Sequence, residues 1–252
     1  MRMRKMLFAG VLLVCSMVTV PAHAGDISLS AAASLKDAMQ EIIGGFKKTH
    51  PDTAVLTNFG ASGALAKQTA QGAPTDIFIS ANDQWLDFVV KEGKADAKNK
   101  GVLAYNKLVF AGKKGLAVKS LADLKSLQYI AIGTPASVPA GQYAEQAMRG
   151  AGIYEDLAKD KKLVMAQDVR QALIYADRGE VDGAFVYQTD AMLAKEAQIL
   201  LVVPEELYDR VAYPMVITVA GEAKAEAKAF YNYLAGPEAQ EILQKFGFVP
   251  VK

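Results

Sequence analysis

The sequence predicts an α/β fold with mainly parallel sheets and helices covering both faces. Two observations lead there. Short runs rich in Ile, Val, Leu and Phe alternate with longer segments whose apolar residues recur every three or four positions, the pattern of buried strands between amphipathic helices. The alternation also restarts: one set of strand–helix units precedes about Tyr105 and another follows it, so the architecture is doubled although no close sequence repeat is present.

The elements follow in order. DISLSAA (26–32) is a short apolar strand. Residues 34–48 are helical, because Leu35, Ala38, Met39, Ile42, Ile43 and Phe46 fall on one face. TAVLTNF (53–59) is the second strand and helix 62–71 follows it; TDIFISA (75–81) is the third, followed by a helix carrying Trp85, Leu86, Phe88 and Val89. NKLVFAG (106–112) is a further strand that ends in a Gly/Lys turn. The pattern then restarts with strand QYIAIG (128–133), a helix opening at VPAGQYAEQAM, strand KLVMAQ (162–167) and helix 168–178. VDGAFVYQ (181–188) and QILLVVP (198–204) are strands, as is YPMVITVAG (213–221), with Pro214 tolerated near its start. Helices 222–235 and 237–246 close the chain.

The N-terminus sets the compartment. MRMRK is basic, Met6 to Val20 is apolar and uncharged, and AHAG offers Ala22 and Ala24 before a cut, so residues 1–24 are expected to be a signal peptide cleaved after Ala24. The run is shorter than the roughly 20 residues that span a bilayer, which argues against an uncleaved anchor. Cys15 follows Val14, where a lipoprotein signal needs a small residue. Removing residues 1–24 takes away Arg2, Arg4 and Lys5, so 28 basic residues become 25 against 27 acidic ones, a net charge of −2. That balance argues against nucleic-acid binding, which needs a basic face. The remaining chain has no cysteine and hence no disulfide. A soluble, exported protein is expected.

Ligands of open α/β sheets bind beyond the carboxyl ends of the strands, so the strand–helix junctions are the places to look. SLSAAASLKDAM puts Ser34 at the entry of the first helix, and NFGASGALAKQ puts Ser62 at the entry of the second. IGTPASVPAGQYAEQAM starts a helix near Pro139, with Ala140 and Gly141 in its first turn, and MAQDVRQAL enters a helix at Asp168–Val169. All four present small or neutral groups beside backbone N–H donors that helix geometry leaves without partners. Each has an ordinary explanation as well: serine and aspartate are common N-caps, and proline is common in a first turn. Taken together, the set suggests helix N-termini converging on one small anion.

AAASL, FGASGALA, GAPTDIFISA, VPAGQYA, DVRQAL and VYQTDA occur in this order, and with AFYNYLAGPEAQEILQKFGF the chain resembles the periplasmic molybdate-binding proteins of ABC transporters over essentially its whole exported length. The resemblance implies a two-lobed periplasmic binding protein fold, with residues 25–105 and 212–252 in one lobe, 106–211 in the other, and the ligand in the cleft. It implies that molybdate, and tungstate of nearly equal geometry, is held by the hydroxyls of Ser34, Ser62 and Tyr187 and the backbone N–H groups of Ala140 and Val169. It further implies no cofactor, a periplasmic monomer, and delivery to an inner-membrane permease. Ala61 and Gly63 flank Ser62 where the family is often richer in serine, so adjacent hydroxyls add nothing there.

Such a donor set is chemically coherent. A tetrahedral dianion offers only acceptors, and a hydrogen bond to an ionised acceptor is worth roughly 1.5–3 kcal/mol net. Several of these, with helix dipoles, hold the anion without a buried lysine. Donors alone also disfavour hydrogen phosphate, whose O–H needs an acceptor. Sulfate is proton-free and smaller, so a binding protein for sulfate, or for a small organic acid, is the alternative reading. An enzyme fits poorly: position 64 is Ala where a nucleophile elbow needs Gly, and the exported chain has one histidine, His50, read as a solvated loop residue remote from Ser34.

Overall fold

The computed structural model describes residues 25–251; the signal-peptide expectation lies outside them. The first run comprises β1 (Ile27–Ala32), α1 (Lys36–Thr49), β2 (Val55–Gly60), α2 (Ser62–Ala70), β3 (Ile77–Ile79), α3 (Asp83–Lys91) and β4 (Ala95–Tyr105). The second comprises β5 (Leu108–Lys113), β6 (Ile130–Gly133), α4 (Pro139–Gly150), α5 (Tyr154–Lys159), β7 (Leu163–Ala166), α6 (Val169–Asp177), β8 (Gly183–Tyr187), α7 (Gln188–Ala191) and β9 (Ala197–Val202). The chain then returns through β10 (Ala212–Thr218), α8 (Val219–Glu222), α9 (Ala225–Leu234) and α10 (Pro237–Lys245).

These elements build two five-stranded sheets, ordered β2-β1-β3-β10-β4 and β7-β6-β8-β5-β9. The two share one plan: three parallel strands from consecutive strand–helix units, then two strands added antiparallel. The α/β class therefore holds, with parallel pairing supplying half of the ladders in each sheet rather than most of them. The antiparallel half arises because the chain crosses between the sheets. β5 enters the second sheet and β10 re-enters the first, each placed beside the third parallel strand. The crossings run side by side, since the Asn106 amide donates to the Val211 carbonyl at 3.1 Å and the Leu108 amide to the Tyr208 hydroxyl at 3.1 Å.

The core follows the apolar pattern. β1, β8 and β10 are buried almost throughout, as strands covered on both faces must be. α1 buries Ala38, Met39, Ile42, Ile43 and Phe46 on one stripe. Phe46 meets Phe230 edge-on at 4.9 Å, and this contact ties α1 to α9. Burying a phenylalanine is worth about 1.5–3 kcal/mol. His50 is not solvated as expected: it is half-buried, with its ring stacked 4.1 Å from that of Phe46. β4 has no apolar signature at its start, ADAKNK, because it is an edge strand whose Asp96, Lys98 and Lys100 face water and discourage further pairing. Pro214 lies inside β10 between two partner strands, and the missing N–H is absorbed by a register shift at Tyr213/Pro214.

Candidate functional site

The carboxyl ends of β1, β2, β6, β7 and β8 lead into one small cavity between the two sheets. Ser34, Ser62, Ala140, Val169 and Tyr187 all line it, together with Ala32, Ala33, Gly60, Ala61, Ala81, Val138, Pro139 and Asp168. No lysine, arginine or histidine is among them. Sequence separations of more than a hundred residues are thus brought to one point, with each lobe contributing part of the wall.

The serines do not do what serines at helix entries usually do. The N-cap of α2 is Ala61, and the short 3₁₀ turn Ala33–Leu35 that leads into α1 is capped by Ala32; neither end has a side-chain cap bond. Ser62 is fully buried, and its Oγ accepts from the Ala81 amide at 3.0 Å. A hydroxyl that accepts there keeps its hydrogen for another partner. Ser34 Oγ lies 2.8 Å from the Tyr213 hydroxyl. Asp168 does act as the expected cap, accepting from the Gln171 amide at 2.9 Å. That bond satisfies the third amide of α6 and leaves the first, that of Val169, beyond the reach of any carbonyl within the helix. Ala140 is the second residue of α4, after Pro139, in the same position of need.

Tyr187, at the end of β8, is 1 % exposed, and its hydroxyl has no hydrogen-bond partner within the protein. An unpartnered buried hydroxyl costs about 1–3 kcal/mol, and it is the feature a waiting ligand site carries. Burial pushes the phenol well above its usual range, so it stays protonated and remains a donor.

Direct bonds hold the lobes together around the cavity. The Gly63 amide donates to the Ser137 carbonyl at 2.9 Å, the Tyr143 hydroxyl to the Ala81 carbonyl at 3.2 Å, and Asn82 Nδ2 to Gln142 Oε1 at 2.6 Å. Gly63 is required by this approach, because a Cβ there would lie 2.7 Å from the Ser137 carbonyl oxygen. On the other flank Arg170 reaches across, with Nη2 2.6 Å from Asp37 Oδ2 and 3.2 Å from the Ser34 carbonyl oxygen. Its Nε lies 2.6 Å from Asp190 Oδ1, a close charge contact that lacks hydrogen-bond alignment. Burial pushes the Asp190 carboxyl up to about 6 even though Arg170 pulls it down. Arg170 is thus neutralised by two aspartates and lies outside the cavity wall. Among the described residues no group of three or more His, Cys, Asp or Glu is placed to hold a metal ion.

Arg170 appeared in the sequence only as part of DVRQAL, and Tyr213 and Asn106 carried no local signal at all. Tyr213 meets Ser34 from 179 positions away, a distance no periodicity reports.

The family model of bacterial extracellular solute-binding proteins matches residues 27–249. The molybdate-binding protein ModA of Escherichia coli is 38 % identical over 251 residues, covering 96 % of each chain. ModA of Haemophilus influenzae is 34 % identical over 234 residues, covering 90 % of this chain and 91 % of its own. The periplasmic molybdate-binding protein of Azotobacter vinelandii superposes with a TM-score of 0.81 at 27 % identity, over 90 % of this chain and all of its own. The chain belongs to the bacterial extracellular solute-binding proteins, a family that binds solutes for transport and is not one of enzymes.

Proposed function

We propose that this solute-binding protein captures molybdate, and equally tungstate, in the periplasm and delivers it to an inner-membrane ABC permease. The anion occupies the cavity between a lobe of residues 25–105 and 212–252 and a lobe of residues 106–211. It accepts from the hydroxyls of Ser34, Ser62 and Tyr187 and from the amides of Ala140 and Val169. No cofactor takes part.

The observation that supports this most is the Tyr187 hydroxyl, buried without a partner in a cavity that has hydroxyl and helix-end donors but no basic side chain. A cation would meet the wrong ends of these dipoles, and an apolar solute would leave them unsatisfied. A proton-free tetrahedral anion suits all five. The likeness to proteins named for molybdate binding supports the same reading.

A thermal-shift screen over molybdate, tungstate, sulfate, phosphate and citrate tests it. Molybdate and tungstate are expected to stabilise the chain by about 4 kcal/mol at a thousandfold excess over Kd. A shift with sulfate or citrate but with neither metal oxyanion would replace the reading.

A further inference from the structure

The cavity is shut away from water: Ser34, Ser62, Ala140, Val169 and Tyr187 are each at most 3 % exposed. An ion lodged among them can leave only when the walls supplied by the two sheets move apart. The contacts that join those walls therefore decide how long it stays.

One side chain among these contacts belongs wholly to the joint. Asn82 follows the cavity-lining Ala81 and caps α3, its Oδ1 accepting from the Trp85 amide at 3.3 Å. The cap assigns the oxygen end of that side chain, so Nδ2 is the end that donates to Gln142 Oε1, at 2.6 Å. Gln142 lies on α4, two residues after the cavity-lining Ala140. With its oxygen occupied, its Nε2 donates to Gln84 Oε1 on α3 at 3.1 Å. Both ends of the Gln142 amide are thus bonded to the first sheet's side and neither to its own. Arg170, which crosses on the other flank, also contacts Asp190 on its own side. Ordering a glutamine costs conformational entropy, and here only bonds across the divide offset it. Being uncharged, these bonds can break without leaving an unpaired ion behind.

We infer that Gln142, held between Asn82 and Gln84, is a clasp that keeps the cavity walls together and sets the rate at which the bound anion is released. The inference rests on the oxyanion reading of the cavity. Gln142 does not line the cavity, so it acts as a positioning residue and not as a ligand-binding one.

Release of radiolabelled molybdate from the exported chain, chased with excess unlabelled molybdate and followed by rapid filtration, tests this. Calorimetric titration supplies Kd, and release rate over Kd gives the association rate. Gln142→Leu keeps much of the side-chain volume and removes both bonds. It should speed release about tenfold, the scale of two partly exposed hydrogen bonds, without slowing association. Gln84→Ala, at an exposed position, removes one bond and should speed release about threefold. In the Gln142→Leu background it should add nothing, because its partner is already gone. A merely structural role would slow association or let the two effects add. Release at the wild-type rate from folded Gln142→Leu, or further acceleration by Gln84→Ala in that background, overturns the clasp. If Gln142→Leu does not fold by circular dichroism, Gln84→Ala carries the test, and release from it at the wild-type rate overturns the clasp. A wild-type chain that retains no molybdate overturns the oxyanion reading instead.

Discussion

Replacing Tyr187 with phenylalanine should separate ligand binding from folding. The substitution removes one oxygen and keeps a ring that packs edge-on against Tyr143 at 6.5 Å and Tyr213 at 5.9 Å. Without ligand that oxygen is buried and unpartnered, at a cost of about 1–3 kcal/mol. Its removal should therefore leave the ligand-free chain at least as stable as wild type. With ligand the hydroxyl donates to an ionised oxygen, worth roughly 1.5–3 kcal/mol, so its loss should weaken molybdate binding about 10- to 150-fold. Urea unfolding of the ligand-free chain and calorimetric titration of molybdate read the two effects separately. A variant that unfolds more easily and binds molybdate as tightly as wild type would refute the reasoning, because Tyr187 would then be an ordinary core residue.

The other substitutions carry different signatures. Ser62→Ala should weaken molybdate binding by about 1–3 kcal/mol and, unlike Tyr187→Phe, should also lower stability, because the buried Ala81 amide loses its acceptor; titration and urea unfolding check both. Gly63→Ala places a methyl group against the Ser137 carbonyl and the Trp85 ring and should cost about 1–3 kcal/mol of stability, which urea unfolding checks. Asp190, pushed up to about 6 from an ordinary 3.8, takes up its proton at higher pH in the folded chain than in the unfolded one. By linkage this group makes stability rise as pH falls through about 6 and level off near the ordinary carboxylate range; Asp190→Asn should remove that part of the pH dependence in urea unfolding.

How much was legible in the sequence depended on how local the cause was. β1, α1 and β8 were readable because burial on one or both faces imposes a local apolar period. β4 was not, since an edge strand is selected for charge and not for burial. The short helices α5 and α7, of six and four residues, are too brief to show a period. At the site, four junctions were visible as small residues before helices, and the resemblance singled out one residue in each together with Tyr187. The meaning of Ser34 and Ser62 was not visible, because a capping serine and a serine turned to a cavity look alike in a sequence. Gly63 read as a missing serine, whereas its lack of a side chain is what lets the Ser137 carbonyl approach. Arg170 and Asp190 act through contacts that only the folded chain creates.

The central claim is that uncharged donors from both lobes hold one oxyanion in the cavity. A crystal structure of the chain with molybdate, phased on the anomalous signal of molybdenum, tests it most directly. The metal peak should fall in the cavity, with oxygens about 2.7–3.0 Å from the hydroxyls of Ser34, Ser62 and Tyr187 and from the amides of Ala140 and Val169. A peak outside this cavity, or one coordinated by a lysine or arginine side chain, would contradict the account.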